Sequence, residues 1–67
     1  MTLGENIRRK RLEYDIEQQE LAERVGLKKS MINHIEHDLR RPSVGTLIKI
    51  ADTLHCSVDE LLGRSVS

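Results

Sequence analysis

The sequence predicts an all-α fold of five short helices, and three observations carry that prediction. Apolar residues recur at spacings of three and four in successive segments, the mark of helices with one buried side. The apolar residues are almost all Leu, Ile, Val and Met, with Tyr14 the single aromatic, and a small aliphatic core of this kind suits short packed helices. Finally, two helical patterns, QQELAERV and KSMINHIE, lie on either side of Gly26. That spacing is too tight for independent elements and right for a pair crossing steeply as a helix-turn-helix.

Each helix has its own signals. Thr2 followed by Glu5 forms a capping box, so the first helix is expected over about residues 3–13, with Leu3, Ile7 and Lys10 or Arg11 on one side and Leu12 as a second inward contact. Asp15 is a tolerable residue for the left-handed conformation that ends it. The second helix spans about residues 18–25, with Leu21, Ala22 and Val25 inward and Gly26 as its C-terminal cap. The third is expected over about residues 29–36. After the turn DLRRP, in which Pro42 excludes helix at Arg41, Ser43 caps a fourth helix over about residues 44–55 with Leu47, Ile50, Ala51 and Leu54 inward. Ser57 and Glu60 make a second capping box for a fifth helix over about residues 58–63, with Val58, Leu61 and Leu62 inward and Gly63 as the stop.

Sixty-seven residues are expected to form a single domain, able to bury only about 60% of the unfolded chain's surface. That leaves no room for a deep substrate cleft. The lone Cys56 excludes an internal disulfide and fits a reducing compartment. No apolar run approaches the roughly 20 residues of a membrane span, and the start MTLGENIRRK lacks a signal peptide's apolar region, so a cytoplasmic protein without membrane partners is expected. Net charge is zero, from eleven basic and eleven acidic residues, which taken alone argues against nucleic acid. The distribution is uneven, however. Bases bunch at Arg8 to Arg11, Lys28 and Lys29, and Arg40 and Arg41, while acids collect between Glu13 and Glu23 and at Asp52, Asp59 and Glu60. This pattern is compatible with one positive and one negative face, and equally with a mixed solvated surface.

The third helix resolves into two arcs. At about 100° per residue from Lys29, Met31, Ile32 and Ile35 fall at about 200°, 300° and 240°, one apolar arc. The opposite arc carries Lys29, Ser30, Asn33, His34 and His37, all polar, none acidic, and each able to reach a base edge. Glu36 lies at the border and is expected to point along the surface or inward. The reading that follows is a second helix of a helix-turn-helix laid into the DNA major groove.

With these residues in place, the chain resembles the lambda-repressor-like helix-turn-helix family of phage repressors, Cro proteins and bacterial relatives, often called the XRE family. The resemblance runs from Leu3 to Leu62 and is carried by Gln18, Glu20-Leu21-Ala22, Val25-Gly26, Ile32 to Glu36, Pro42-Ser43 and Val58 to Leu62. It implies a base-reading role for Lys29, Ser30, Asn33 and His34, a phosphate contact for Gln18 backed by its helix N-terminus, and backbone contacts for His37 and Arg41. It also implies an ion pair, Arg11 with Glu36, tying the first helix to the third. Three positions depart from the family pattern: Glu17 stands where a capping Ser, Thr or Asn is usual, Lys28 where Ser or Thr is usual, and Asp38 where Gly is common.

The expected function is therefore sequence-specific double-stranded DNA binding by a transcriptional regulator, a repressor in the first reading. Lys28, Arg40, Arg41 and Arg8 would supply salt-sensitive backbone attraction and the third helix discrimination. Asn33 can pair with an adenine edge through both amide atoms, and Lys29 can donate to guanine. A domain this small covers few base pairs, so a homodimer on a palindrome with half-sites about 34 Å apart is expected. Val58, Leu61, Leu62 and Val66 are candidates for its contact, although the fifth helix's residues also suit the core. The alternative is a protein-interaction, antitoxin or co-regulator module on the same fold. His34, His37, His55 and Cys56 match no standard zinc spacing, and no cofactor, small-molecule ligand, phosphate loop or nucleophile with a placed base is evident, so an enzyme is not expected.

Overall fold

A computed structural model describes residues 1–64. Five helices follow in order among them: α1 (Leu3–Glu13), α2 (Gln18–Val25), α3 (Lys29–Glu36), α4 (Val44–Thr53) and α5 (Val58–Leu62). The α2–α3 pair forms the helix-turn-helix; α1 packs on α3 and α5, and α4 on α2 and α5. No helix among the described residues is long and apolar enough to cross a membrane.

Each helix contributes a few aliphatic side chains to one core: Ile7 from α1, Leu21, Ala22 and Val25 from α2, Ile32 and Ile35 from α3, Ile50 and Ala51 from α4, Leu54 just after it, and Leu61 from α5. Removing these groups from water is the main force holding such short helices, which have little stability alone. A buried polar side chain also ties helices together: Asn6 donates from Nδ2 to the Leu61 carbonyl at 3.0 Å, pinning α1 to α5.

Helix ends are set by local chemistry. Thr2 Oγ1 accepts from the Glu5 amide at 3.1 Å while Glu5 Oε1 accepts from the Thr2 amide at 2.9 Å, a reciprocal cap. Ser57 and Glu60 repeat the arrangement at α5, and Ser43 caps α4 through the Thr46 amide. Gly26 and Gly63 close α2 and α5 with φ of 76° and 77°. The remaining three helices end without glycine, in Asp15, Asp38 and His55 at φ of 54°, 61° and 54°. At each, the next residue's amide reaches back to close the last turn, as Cys56 does on the Ala51 carbonyl at 3.0 Å.

This closure corrects the expected end of α4. The helix stops at Thr53 rather than His55, because left-handed His55 turns the chain back, and α5 stops at Leu62, before left-handed Gly63. Two inward assignments also fail: Leu12 is 51% exposed and Leu62 42% exposed. Helical periodicity selects an apolar arc wider than the strip this small core covers. Leu61, conversely, is fully buried, so it cannot serve as a surface contact between copies. Val58 is half-buried against the core, and Val66 lies outside the described residues.

Candidate nucleic-acid interface

The polar arc of α3 is held outward by what lies beneath it. Ile32 and Ile35 are 0% and 2% exposed, so the helix cannot roll without exposing them. Lys29, Ser30, His34 and His37 are exposed in consequence, with Lys28 exposed just ahead of the helix, and Asn33 is half-buried. The one acid of α3, Glu36, is 3% exposed and turned away from this face.

Glu36 is held by a buried guanidinium. Arg11 Nε donates to Glu36 Oε2 at 2.7 Å and Nη2 to Oε1 at 3.2 Å, while Nη1 donates to the Ile16 carbonyl at 2.7 Å. The side chains are 9% and 1% exposed. This is the fork geometry in which arginine and carboxylate satisfy one another away from water. It joins α1, the turn after it, and the end of α3. Gln18, at the start of α2, adds to it: Nε2 donates to Glu36 Oε1 at 3.0 Å and to Asn33 Oδ1 at 3.2 Å.

The two helices of the motif differ from the others at their N-termini. Glu17 and Lys28 make no side-chain capping bond, whereas Thr2, Ser43 and Ser57 cap α1, α4 and α5. The first-turn amides of α2 and α3 are therefore not taken by a cap side chain, and such amides favour anions. A shallow groove lined by Arg11, Glu17, Gln18, Gln19 and Lys29 connects the starts of the two helices. Arg40 and Arg41 are not part of it; they line a separate hollow with Thr2, Leu3, Ile35, Asp38 and Leu62. Asp38 accepts there from Thr2 Oγ1 and from the Gly4 amide, and these bonds hold its carboxyl below the usual carboxylate range. Among the described residues, no three His, Cys, Asp or Glu side chains come together as a metal site.

Sequence reasoning missed three residues that support this face. Asn6 and Asp38 are polar groups whose partners lie 55 and 34 positions away, which no local pattern reveals. Gly4 is the third. A Cβ there would overlap the carbonyl oxygens of Ile35 and Glu36 and come within 2.8 Å of Asp38 Oδ1, so only glycine lets α1 lie this close to the end of α3.

Known proteins share this geometry. Residues 7–61 match the sequence profile of the family described as Helix-turn-helix. The chain is 31% identical over 64 residues to the HTH-type transcriptional regulator ImmR of Bacillus subtilis, and 36% identical over 64 to the immunity repressor protein of Bacillus phage phi105, in each case over 96% of its own length. It spans 50% and 44% of those two relatives, about half their length. It is also 39% identical to control protein C.SmaI of Serratia marcescens, covering 92% of this chain and 74% of that one. Among solved structures, the P22 c2 repressor in complex with a synthetic operator superposes with a TM-score of 0.91 at 31% identity, covering 97% and 98% of the two chains. SinR, a master regulator of biofilm formation, in complex with DNA gives 0.83 at 36% identity, covering 90% and 97%. On the profile match, the five-helix order and these superpositions, the chain belongs to the helix-turn-helix family, in its lambda-repressor-like form.

Proposed function

We propose that this protein binds double-stranded DNA in a sequence-specific manner and acts in the cytoplasm as a transcriptional regulator, a repressor, with α3 in the major groove. The observation that carries this reading is the composition of the outward face of α3: Lys29, Ser30 and His34 stand exposed beside Asn33, while the helix's only acid is buried against Arg11. A groove flanked by phosphates and rich in acceptors favours such a rigid array of donors with no acid among them. The similar P22 c2 repressor and SinR, each solved in complex with DNA, support it.

Two classes of contact divide the work. Lys29, Ser30, Asn33 and His34 discriminate bases; Lys28, His37, Arg40 and Arg41, with the uncapped starts of α2 and α3, engage phosphates. Gln18 takes a different part from the one its position suggests, since its side-chain amide donates to Glu36 and Asn33 and leaves its helix's backbone amides to face phosphate. The protein functions as a homodimer on a palindromic operator, because one domain of this size covers too few base pairs for specificity. Of the described residues expected at the contact between copies, Val58 is half-buried, Leu61 buried and Leu62 exposed.

A second reading, a protein-interaction module, draws on the zero net charge and on the similar SinR having been solved in complex with SinI. Selection of binding sites from random duplexes separates the two. A palindromic sequence whose affinity falls steeply with added salt is expected; no duplex affinity at low salt contradicts DNA binding. On the selected site, Asn33→Ala should relax preference at one position per half-site, by about 1–3 kcal/mol, whereas Arg41→Ala should weaken all sequences alike and flatten the salt slope.

A further inference from the structure

Asn33 differs from its neighbours on the reading face in that one end of its amide is already engaged. The direction of that engagement is fixed by a chain of constraints that begins in the core. Glu36, forked onto the Arg11 guanidinium, is a carboxylate and can only accept. Gln18, 3.0 Å from Glu36 Oε1, must therefore turn its Nε2 toward it. The second hydrogen of that same nitrogen points to the amide of Asn33 at 3.2 Å, and only an oxygen can receive it. Asn33 Oδ1 is thus drawn to the protein side, and Nδ2 with its two hydrogens is left for the groove.

We propose that Gln18 makes Asn33 a donor-type reader, selecting a base edge rich in acceptors, guanine foremost, rather than the two-atom adenine contact an unrestrained asparagine makes. The proposal rests on the DNA-reading role of α3. Guanine offers N7 and O6 side by side to the two hydrogens of Nδ2. Thymine offers O4 alone. Adenine places an amino donor beside its N7, which an asparagine matches only by presenting its oxygen, and here that oxygen is held by Gln18. Cytosine presents an amino group and is rejected. Gln18 is therefore a positioning residue, and Arg11 sets the specificity of a side chain it does not touch.

Binding-site selection with four proteins tests this, each first checked for helix content by circular dichroism: the parent, Asn33→Ala, Gln18→Met and Asn33→Asp. The position at which Asn33→Ala loses preference identifies the base facing Asn33. The parent should prefer guanine there over cytosine on the order of tenfold. Gln18→Met keeps the bulk but removes the donor, so the freed amide should shift the preference toward adenine. Asn33→Asp presents only acceptors and should turn the pair over, to cytosine. Adenine already preferred by the parent, no position changed by Asn33→Ala, or the guanine preference retained in a folded Gln18→Met would overturn the proposal while leaving DNA reading intact. Should Gln18→Met fail to fold, Gln18→Ala, which also removes the donor, is read in the same way. No enriched sequence with the parent would overturn both.

Discussion

Arg11→Ala is expected to remove about 3–5 kcal/mol of folding stability, a large share of what a domain of this size holds. The substitution leaves Glu36, with a side chain 1% exposed, as a charge without its counterion. It also frees the Ile16 carbonyl that Arg11 Nη1 holds at 2.7 Å, loosening the turn into α2. Most of this cost is the penalty of stranding a buried charge, and only a smaller part is the worth of the pair itself. The double variant Arg11→Met, Glu36→Leu should therefore regain most of the lost stability, since both charges leave together and aliphatic chains fill the space. Urea unfolding of the parent, the single and the double variant measures this. A double variant as unstable as Arg11→Ala would mean that the fork adds more than the removal of an unpaired charge. The refolded double variant should still have lost the arrangement of Gln18 and Asn33, because the acceptor that orients Gln18 is gone.

Gly4→Ala is the second large effect, and it is opposite in sign to what helix propensity alone gives. Alanine is favoured over glycine within a helix by up to about 1 kcal/mol. At Gly4 this gain is outweighed, because the added methyl meets the backbone carbonyls of Ile35 and Glu36, which cannot move without pulling α3 out of register. Overpacking against backbone in a dense interior costs about 1–3 kcal/mol or more, so a net loss of about 2 kcal/mol is expected. Gly45 provides the control. It lies in the first turn of α4, where an added methyl would have no neighbour within 4 Å, and Gly45→Ala should gain about 0.5–1 kcal/mol. Thermal unfolding of the two variants should move in opposite directions; a stabilised Gly4→Ala would show that α1 and α3 have room between them.

How far the sequence discloses this arrangement depends on the range of the interaction involved. The helix-turn-helix is legible because its signals are local: a glycine able to take the left-handed conformation at Gly26, and a period that separates Ile32 and Ile35 from the polar arc. The three capped helices are legible for the same reason, through Thr2, Ser43 and Ser57. The place of Glu36 at the border of the arcs leaves surface and inward both open, and its pairing with Arg11 is visible only through family resemblance, since the two lie 25 positions apart. Gly4 and Asn6 escape altogether: one reads as a weak helix residue and the other as a surface polar, until α3 and α5 are laid against them. Leu12 and Leu62 mislead in the opposite way, being apolar at helical spacing yet beyond the edge of the core. Gln18 is the instructive case for the interface. Its position suits phosphate, whereas the bond its side-chain amide makes within the protein, to the buried carboxylate of Glu36, joins residues 18 positions apart and has no local signal.

If DNA binds where we propose, the outward side of α3 and the start of α2 should sense the duplex most strongly, with smaller changes at His37, Arg40 and Arg41. Titrating the isotope-labelled protein with its selected duplex and following backbone amide resonances reads this residue by residue. The largest shifts are expected at Gln18 to Glu20 and at Lys28 to His34, with Asn6 and Leu61 barely changed. Shifts centred on α1 and α5, with Lys29, Ser30 and Asn33 unmoved, would contradict it.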